Sequence, residues 1–204
     1  MYKYPVIVFE GIETSGKSTN LNIAANFLKK KRKSFIKLRE PGGSIFSEIV
    51  RKLLLNKKLK LNNKTDLLLF YASRSENFEK IIKKNYKKKI ILIDRFTDST
   101  VAYQHFGMKI NLNVIKLLNK FIIGNFKADL TFLSTVNSKN LKLRLNKRLK
   151  LNRYDKFKLN FYTKVQGGYF KLSNKKKNYV IIDSNKKNIS NVKKIIINKL
   201  EKII

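Results

Sequence analysis

Short apolar runs alternate with longer segments of helical periodicity along the whole chain. Residues 6–9 are all apolar and Gly11 closes the segment, which is typical of a buried strand in a parallel sheet. The next segment spaces its apolar residues at i, i+3, i+4 and i+7, as in an amphipathic helix: Leu21, Ala24, Ala25 and Leu28. The same criteria predict strands at 35–38, 90–93, 130–133 and 180–182, and helices at 44–55, 65–86, 98–104, 112–123, 138–150, 156–173 and 189–203.

This order of elements predicts an α/β fold. Strands that alternate with helices form a parallel sheet whose two faces are covered by those helices. The predicted strands therefore indicate a five-stranded parallel sheet flanked by helices on both faces. Because the chain contains neither an internal repeat nor a linker rich in Gly, Pro or Ser, we expect residues 1–204 to form a single domain.

The composition suits a full hydrophobic core but is strongly basic. Hydrophobic residues make up 43% of the chain, and 47 Lys and Arg against 13 Asp and Glu give a formal charge of +34. Such a charge is typical of proteins that neutralise nucleic-acid phosphates. However, the 39 Lys far outnumber the 8 Arg, although Arg is the better phosphate ligand, and they are spread over the whole length. With 23 Asn and 23 Ile, this favours A/T-rich coding bias, and we expect no specific nucleic-acid partner.

Simple counts exclude several classes of protein. No apolar run approaches the ~18 residues of a membrane span, and the first residues lack the apolar core of a signal peptide. We therefore expect a cytoplasmic protein without membrane association. The absence of cysteine excludes disulfide bonds, Cys-ligated zinc and thiol nucleophiles, and the single histidine, His105, disfavours a His-based triad.

The segment after the first predicted strand matches a phosphate-binding loop. Residues 11–18 fit G-x-x-x-x-G-K-[ST] and lie between a strand and an amphipathic helix, as this loop requires. The glycines let backbone N–H groups surround a phosphate at the positive end of the helix, and Lys17 would reach the β and γ phosphates. We expect a nucleoside triphosphate to contact Gly11, Ile12, Glu13, Thr14, Ser15, Gly16, Lys17, Ser18 and Thr19.

Two side chains are candidates for holding Mg²⁺. Ser18 ends the phosphate-loop pattern and would supply a hydroxyl, and Asp94 ends the predicted strand at 90–93. A carboxylate at that position holds the ion directly or through water in phosphoryl-transfer sites. The alternative is that Asp94 merely caps the next helix. Arg95 follows at once and adds a cation where transferred phosphoryl charge would lie.

Four blocks of sequence resemble the bacterial thymidylate kinase family. They are E-G-I-E-T-S-G-K-S-T at 10–19, R-E-P-G-G at 39–43, F-Y-A-S-R at 70–74, and D-R at 94–95 followed by S-T-V-A-Y-Q at 99–104. They occur in the family's order and spacing, and the resemblance spans essentially the whole chain. It implies a P-loop NTPase fold, a homodimer, and an enzyme that uses ATP and Mg²⁺ to phosphorylate dTMP to dTDP for dTTP synthesis.

The resemblance also implies a binding site for dTMP. Phe70 would stack on the thymine ring and Arg74, four positions later on the same helix face, would donate to its O4. For Phe70 the alternative is plain core packing, whereas a buried Arg needs a partner. Arg95 would bind the acceptor phosphate, and Arg39 either contacts that phosphate or braces the loop. The base edge and sugar would be contacted by Ser99, Thr100, Tyr103 and Gln104, with Tyr103 against the 2′ position.

The remaining candidates lie in the phosphate loop and in residues 144–156, here called the lid. Glu13 matches a family carboxylate near the sugar and the metal. Arg144, Arg148 and Arg153 resemble the lid arginines of the mainly bacterial branch, with Arg144 on ATP and the other two stabilising the transferred phosphoryl group. The alternative is a solvated basic helix. Asn152 and Thr135 stand where many relatives carry Asp, although Asp155 lies close to Asn152 in sequence.

Two other functions stay open on sequence alone. One is a different nucleotide or deoxynucleoside kinase, which the Phe70 and Arg74 pair and Tyr103 disfavour. The other is a basic nucleic-acid-binding protein with a vestigial phosphate loop, which would bind DNA in a salt-sensitive manner and would not turn over dTMP.

Overall fold

The computed structural model describes residues 4–185 and 188–204. Its strands are β1 (Val6–Gly11), β2 (Phe35–Arg39), β3 (Ile90–Asp94), β4 (Leu130–Thr135) and β5 (Tyr179–Asp183). Its helices are α1 (Lys17–Lys30), α2 (Ile45–Leu55), α3 (Asn63–Asn77), α4 (Lys83–Asn85), α5 (Thr97–Thr100), α6 (Leu112–Ile123), α7 (Ser138–Asn146), α8 (Leu159–Ser173) and α9 (Ile189–Glu201). Two π-helical stretches, Phe78–Ile82 and Val101–Gly107, and a 3₁₀ turn at Arg153–Lys156 complete the elements.

The strands form one parallel sheet in the order β2-β3-β1-β4-β5. This confirms the predicted five-stranded α/β architecture, and the predicted strands lie within the observed ones. Alternate side chains of β1 enter different cores, because successive residues of a strand point to opposite faces. Ile7 and Phe9 pack with α1 and α9, whereas Val6 and Val8 pack with residues that follow α3 and with the end of α6. Helices therefore cover both faces, as predicted.

The predicted helix boundaries are wrong around the lid. The helix predicted over 138–150 ends at Asn146, and the one predicted over 156–173 begins at Leu159. Between them, the Asn152 side chain accepts a hydrogen bond from the Tyr154 N–H at 2.8 Å, and the Asp155 carboxylate accepts from the Asn152 N–H at 2.8 Å. This reciprocal cap starts a short 3₁₀ turn instead of continuing a helix. The segments predicted as single helices at 65–86 and 98–104 also pass into π-helical stretches.

The sheet brings the chemically interesting strand ends together. Phe9 of β1 pairs with Asp94 of β3, and Asp94 pairs in turn with Arg39 of β2. From β1 the chain passes to β2 and β3 on one side and then to β4 on the other, so the strand order reverses beside β1. Ligands of parallel α/β sheets bind at such a reversal, beyond the carboxyl ends of the strands. Within the described residues, no helix is long and apolar enough to cross a membrane.

Candidate active site

A cleft of about 490 Å³ opens at this edge of the sheet. It is lined by the loop after β1, the ends of β2 and β3, α3, the π-helical stretch after α5, and the lid. Arginine is concentrated here, since five of the chain's 8 arginines line the cleft: Arg39, Arg51, Arg74, Arg95 and Arg148. Among the described residues, Lys17 is the single lysine in its wall. The cleft wall is therefore rich in arginine, a residue that is rare elsewhere in this chain, and its positive charge suits an anionic ligand.

The loop between β1 and α1 has the backbone conformation that phosphate binding requires. Gly11 has φ +136°, and a Cβ there would lie 2.2 Å from the Ser134 carbonyl oxygen. Gly16, with φ 93°, is the N-cap of α1 and has no side chain to cover the helix end. Glu13, Thr14, Ser15, Gly16, Lys17, Ser18 and Thr19 line the cleft, whereas Gly11 and Ile12 are buried beneath it.

Lys17 is held inside the loop that it follows. Its Nζ donates to the Ile12 carbonyl oxygen at 2.9 Å, and the residue is 8% exposed. Burial, with a further contribution from the charge of Arg95, lowers the pKa of Lys17 to about 8. A cation that is costly to keep in this site is stabilised when an anion enters the cleft.

Ser18 and Asp94, the two predicted Mg²⁺ ligands, lie next to each other. The Ser18 hydroxyl donates to Asp94 Oδ2 at 3.5 Å at the mouth of the cleft. The N-cap of the helix after β3 is Phe96, and the N–H groups of Phe96 and Ser99 donate to Glu10, so Asp94 does not serve as the cap. The described residues contain no cluster of three or more His, Cys, Asp or Glu that would bind a metal alone. One hydroxyl and one carboxylate fit Mg²⁺, because this ion takes its other ligands from substrate phosphates and water.

Glu13, Arg95 and Tyr103 form a linked group between the loop and the helix opposite it. Arg95 Nη2 donates to Glu13 Oε1 at 2.9 Å, and the Tyr103 hydroxyl donates to Glu13 Oε2 at 2.5 Å. The Arg95 guanidinium lies 5.0 Å from the centre of the Tyr103 ring. Glu13 therefore fixes both the arginine predicted to bind the acceptor phosphate and the tyrosine predicted to lie against the sugar.

Arg74 is almost completely buried in the wall of the cleft. Its Nε donates to Glu40 Oε2 at 2.8 Å and its Nη2 donates to Thr100 Oγ1 at 2.9 Å. Arg74 and Phe70 both line the cleft from α3, and the Phe70 ring meets the Tyr154 ring edge-on at 6.1 Å. Burial raises the pKa of Glu40, although the charge of Arg74 opposes this shift. The structure thus brings together the predicted base-binding pair and supplies the partner that a buried arginine needs.

Ser99, Thr100 and Gln104 also line the cleft, but each already has a partner. Ser99 Oγ donates to Glu10 Oε2 at 2.5 Å, Thr100 accepts from Arg74, and Gln104 Nε2 donates to Asp66 Oδ1 at 3.0 Å. These contacts hold the segment from α5 into the π-helical stretch against the end of β1 and against α3.

The predicted alternative for Arg39, that it braces its loop, agrees with the geometry. Its Nη2 donates to Glu48 Oε2 at 2.8 Å, and Glu48 Oε1 accepts from the Gly43 N–H at 2.8 Å. Arg39 still contributes to the cleft wall. Its charge is thus partly neutralised by Glu48, and its role as a direct ligand stays a prediction.

The three lid arginines occupy different places. Arg144 donates to the Thr14 and Ser184 carbonyl oxygens, both at 3.0 Å, and so joins the phosphate loop to the end of β5. Arg148 lines the cleft and forms an ion pair with the buried Asp155. Arg153 does not line the cleft, and its guanidinium contacts Asp66 instead. The structure thus places Arg153 against Asp66 rather than in the cleft wall, and its role in stabilising the transferred phosphoryl group stays a prediction.

Three buried polar atoms without a hydrogen-bond partner are found among the described side chains: Thr14 Oγ1, Glu40 Oε1 and Arg95 Nη1. All three residues line the cleft. Because buried polar groups are almost always paired, their concentration at one place indicates that a ligand completes them.

Comparison with known proteins agrees with this geometry. A model of the family described as thymidylate kinase matches residues 9–196. The chain belongs to the thymidylate kinase family. The "Thymidylate kinase" of Thermosipho africanus is 40% identical over 187 residues, which cover 91% of this chain and 92% of that protein. The "Thymidylate kinase" of Legionella pneumophila (strain Paris) is 34% identical over 89% of this chain and 87% of that protein.

A solved structure extends the family likeness to three dimensions. The crystal structure of thymidylate kinase from Ehrlichia chaffeensis matches with a TM-score of 0.78 and 32% identity, over 97% of this chain and 98% of that one. The resemblance to the thymidylate kinase family and the P-loop NTPase fold that it implies are therefore confirmed.

Arg51 and Glu10 are among the residues in or beside this cleft that the sequence predictions did not name as site residues. Arg51 lines the cleft from α2 and donates to the Pro41 carbonyl oxygen at 2.7 Å. Glu10 is fully buried and accepts from the N–H groups of Phe96 and Ser99 at 2.9 and 3.2 Å, so that it caps α5 from β1. The scarcity of arginine in a lysine-rich chain was a usable signal for Arg51. A glutamate at the end of an apolar strand was the signal for Glu10.

Proposed function

We propose that this chain transfers the γ-phosphoryl group of ATP to the phosphate of dTMP, giving dTDP. The observation that carries the proposal is the coincidence of unpaired polar atoms, arginines and a phosphate loop in one cleft. Membership of the thymidylate kinase family supports the substrate pair. We further propose that the chain acts in the cytoplasm as a single domain with a lid near 144–156.

On the donor side, the loop at 11–19 surrounds the ATP phosphates. Its backbone N–H groups and the N-terminus of α1 bind the anionic oxygens. Lys17 moves from the Ile12 carbonyl oxygen to the β and γ phosphates, which offset the cost of keeping its charge buried. Arg148 extends from the lid into the cleft and stabilises charge on the transferred group, while Arg144 holds the loop against the end of β5 near ATP.

On the acceptor side, Arg95 holds the dTMP phosphate. Its Nη1 is buried, unpaired and in the cleft wall, and Glu13 fixes the other end of the guanidinium. Arg51 adds a second cation beside it. The attacking phosphate oxygen is already anionic near neutral pH, so the site needs no general base. Positioning of the two phosphates and neutralisation of their charge are sufficient for phosphoryl transfer.

The nucleoside of dTMP lies deeper in the cleft. Phe70 stacks on the thymine ring, and Arg74 is directed at its O4 from a guanidinium held by Glu40. Thr100 and Gln104 follow the base edge, with Ser99 beside them. Tyr103, fixed by Glu13, occupies the space beside the sugar 2′ position and so favours deoxyribose.

Mg²⁺ is the cofactor that the site would hold. Ser18 and Asp94 are its proposed protein ligands, with Asp94 acting directly or through water. When bound, the ion neutralises charge on the ATP phosphates.

A coupled assay tests the proposed function. With ATP and Mg²⁺ we expect dTMP to be the preferred acceptor over dUMP, dGMP and thymidine, and we expect EDTA to abolish turnover. Preference for another acceptor would indicate a different nucleotide or deoxynucleoside kinase. Salt-sensitive DNA binding without any turnover of dTMP would support the nucleic-acid-binding alternative.

We also propose that the chain forms a homodimer, as its family resemblance implies. Helices α2, α3 and α6 are neighbours in that order and each exposes large apolar side chains. Monomeric proteins rarely expose such a surface. A second copy of the same surface would cover it. Here the apolar surface is defined by Ile45, Phe46, Ile49, Leu53, Leu68, Val114, Leu117 and Phe121.

A charge on this apolar surface should separate the copies. Phe121 is 83% exposed on α6, and Phe121→Glu would place a carboxylate in the covered interface. We expect light scattering to give twice 23.9 kDa for the wild type and 23.9 kDa for the variant. Ile189→Glu on α9 is the matched control, since Ile189 is 69% exposed outside the surface, and it should remain dimeric. A monomeric wild type would contradict the proposal.

A further inference from the structure

Asp66 is a buried carboxylate with an unusual number of partners. It lies in the first turn of α3 and is 1% exposed. Its Oδ1 accepts from Gln104 Nε2 at 3.0 Å and from the Tyr154 hydroxyl at 2.8 Å. Its Oδ2 accepts from the same hydroxyl and from Arg153 Nη2. One side chain thus joins α3, the π-helical stretch at Val101–Gly107 and the lid.

The partners of Asp66 on one side belong to the proposed acceptor pocket. Gln104 and Tyr154 both line the cleft. The Tyr154 ring meets the rings of Phe70 and Tyr103 edge-on, at 6.1 and 6.0 Å. Burial and the charge of Asp66 raise the pKa of Tyr154, so its hydroxyl keeps the proton that it donates. Asp66 therefore fixes the wall around the proposed thymine and sugar sites without touching the cleft itself.

The partner on the other side is the lid arginine that does not line the cleft. Arg153 Nε donates to the Leu54 carbonyl oxygen at 2.9 Å, and its guanidinium lies 4.9 Å from the Tyr154 ring centre. Its side chain is 15% exposed, compared with 43% for Arg148. Arg153 thus anchors the turn that carries Asn152 and Tyr154, and its charge is neutralised by Asp66 rather than offered to phosphate.

From this geometry we propose that Asp66 is a positioning residue that couples the acceptor pocket to the lid. It holds Gln104 at the base edge and, through Arg153 and Tyr154, holds the lid turn against the same pocket. Separating a buried ion pair is costly, because it leaves each charge buried without its partner. The acceptor pocket and the lid turn therefore stay in contact. An acceptor that fills the pocket then stabilises the lid, which brings Arg148 over the phosphates. This inference rests on the proposed function.

The test compares Asp66→Asn with the wild type in two measurements. The amide keeps the size of the side chain and one acceptor oxygen but removes the charge that holds Arg153. We expect kcat for dTMP phosphorylation to fall about 10- to 100-fold, since hydrogen bonds to charged groups contribute about 1.5–3 kcal/mol, while KM for ATP changes less than about twofold. In hydrogen exchange, dTMP alone should protect the lid, residues 144–156, of the wild type and should not protect that of the variant.

Arg153→Gln provides a second variant that removes the other half of the pair outside the cleft. It should lose the same dTMP-dependent lid protection. The loss in the double variant should be smaller than the sum of the two single losses, because the interaction that the two residues share is lost only once. Asp98→Asn is the matched control. Like Asp66, Asp98 accepts hydrogen bonds from a basic side chain and a tyrosine, here Lys176 and Tyr179, and it does not line the cleft. It should retain lid protection and turnover.

The outcomes separate this inference from the proposed function. If the wild type does not phosphorylate dTMP, the proposed function is wrong. If the wild type does so and both Asp66→Asn and Arg153→Gln retain turnover and dTMP-dependent lid protection, the coupling through Asp66 is wrong. Additive losses in the double variant would equally overturn it.

Discussion

Lys17→Ala should abolish phosphoryl transfer and leave the protein folded. Lys17 is the single lysine among the described residues of the cleft wall, and its Nζ lies inside the phosphate loop. The substitution removes the cation that would follow charge onto the β and γ phosphates. Loss of one such preorganised group costs about 10²–10³-fold in kcat, and loss of a full positive charge at a phosphoryl group costs about 10³–10⁵-fold. We therefore expect kcat to fall at least about 10³-fold in the coupled assay with dTMP.

A measurement of stability would show that Lys17→Ala loses activity because the cation is gone and not because the protein unfolds. Burial lowers the pKa of Lys17 to about 8, which means that folding disfavours its charged form. The variant should then unfold in urea at no lower concentration than the wild type. Lys30→Ala is the matched control at the exposed end of the same helix and should retain full activity. Full activity of Lys17→Ala would contradict the proposed mechanism.

The central strands were the most predictable part of the sheet, because β1, β3 and β4 are short, mainly apolar runs that are almost entirely buried, whereas the edge strands β2 and β5 are only partly buried. Residues 90–93 are an example, because helices cover both faces of this strand and all four side chains are apolar. The lid was not predictable from periodicity, because the local hydrogen bonds of Asn152 and Asp155 start a 3₁₀ turn between the helix that ends at Asn146 and the helix that begins at Leu159. Such side-chain hydrogen bonds to nearby backbone groups compete with helix formation, and the spacing of apolar residues does not reveal them.

The parts of the site that depend on local sequence motifs were predictable, and the parts that depend on long-range contacts were not. The loop at 11–19 is a local pattern, and the parallel register places Asp94 beside it. Arg153 could not be distinguished from Arg148 by sequence, since both lie in the same basic segment. Their roles diverge because Asp66, which is 87 positions away from Arg153, is buried against one of them. Such long-range pairing of polar side chains is a property of the packed core and has no local signature.

Arg74→Ala should have the largest effect on stability of the substitutions considered. Glu40 is buried and its Oε2 accepts from Arg74 Nε at 2.8 Å, so the truncation leaves a buried carboxylate without its cation. Breaking such a pair costs about 3–5 kcal/mol, a large part of the roughly 5–15 kcal/mol that stabilises a typical domain. Urea unfolding should show this loss, and Arg74→Ala combined with Glu40→Gln should recover part of it, because the neutral amide no longer carries an unpaired charge. A double variant less stable than Arg74→Ala would contradict this account.

Arg74→Lys separates the binding role of the residue from its role in the fold. Lysine keeps the charge for Glu40 but loses the fork that donates to Thr100 Oγ1 and to Asn119 Oδ1. We expect KM for dTMP to rise about 10- to 100-fold, because hydrogen bonds from a charged donor are worth about 1.5–3 kcal/mol. KM for ATP should change less than about twofold, since the hydrogen bonds of Arg74 all go to residues outside the phosphate loop. Equal increases in both KM values would show that Arg74 acts on the whole fold rather than on the acceptor base, whereas a selective increase for dTMP is expected only if the buried guanidinium faces the nucleoside.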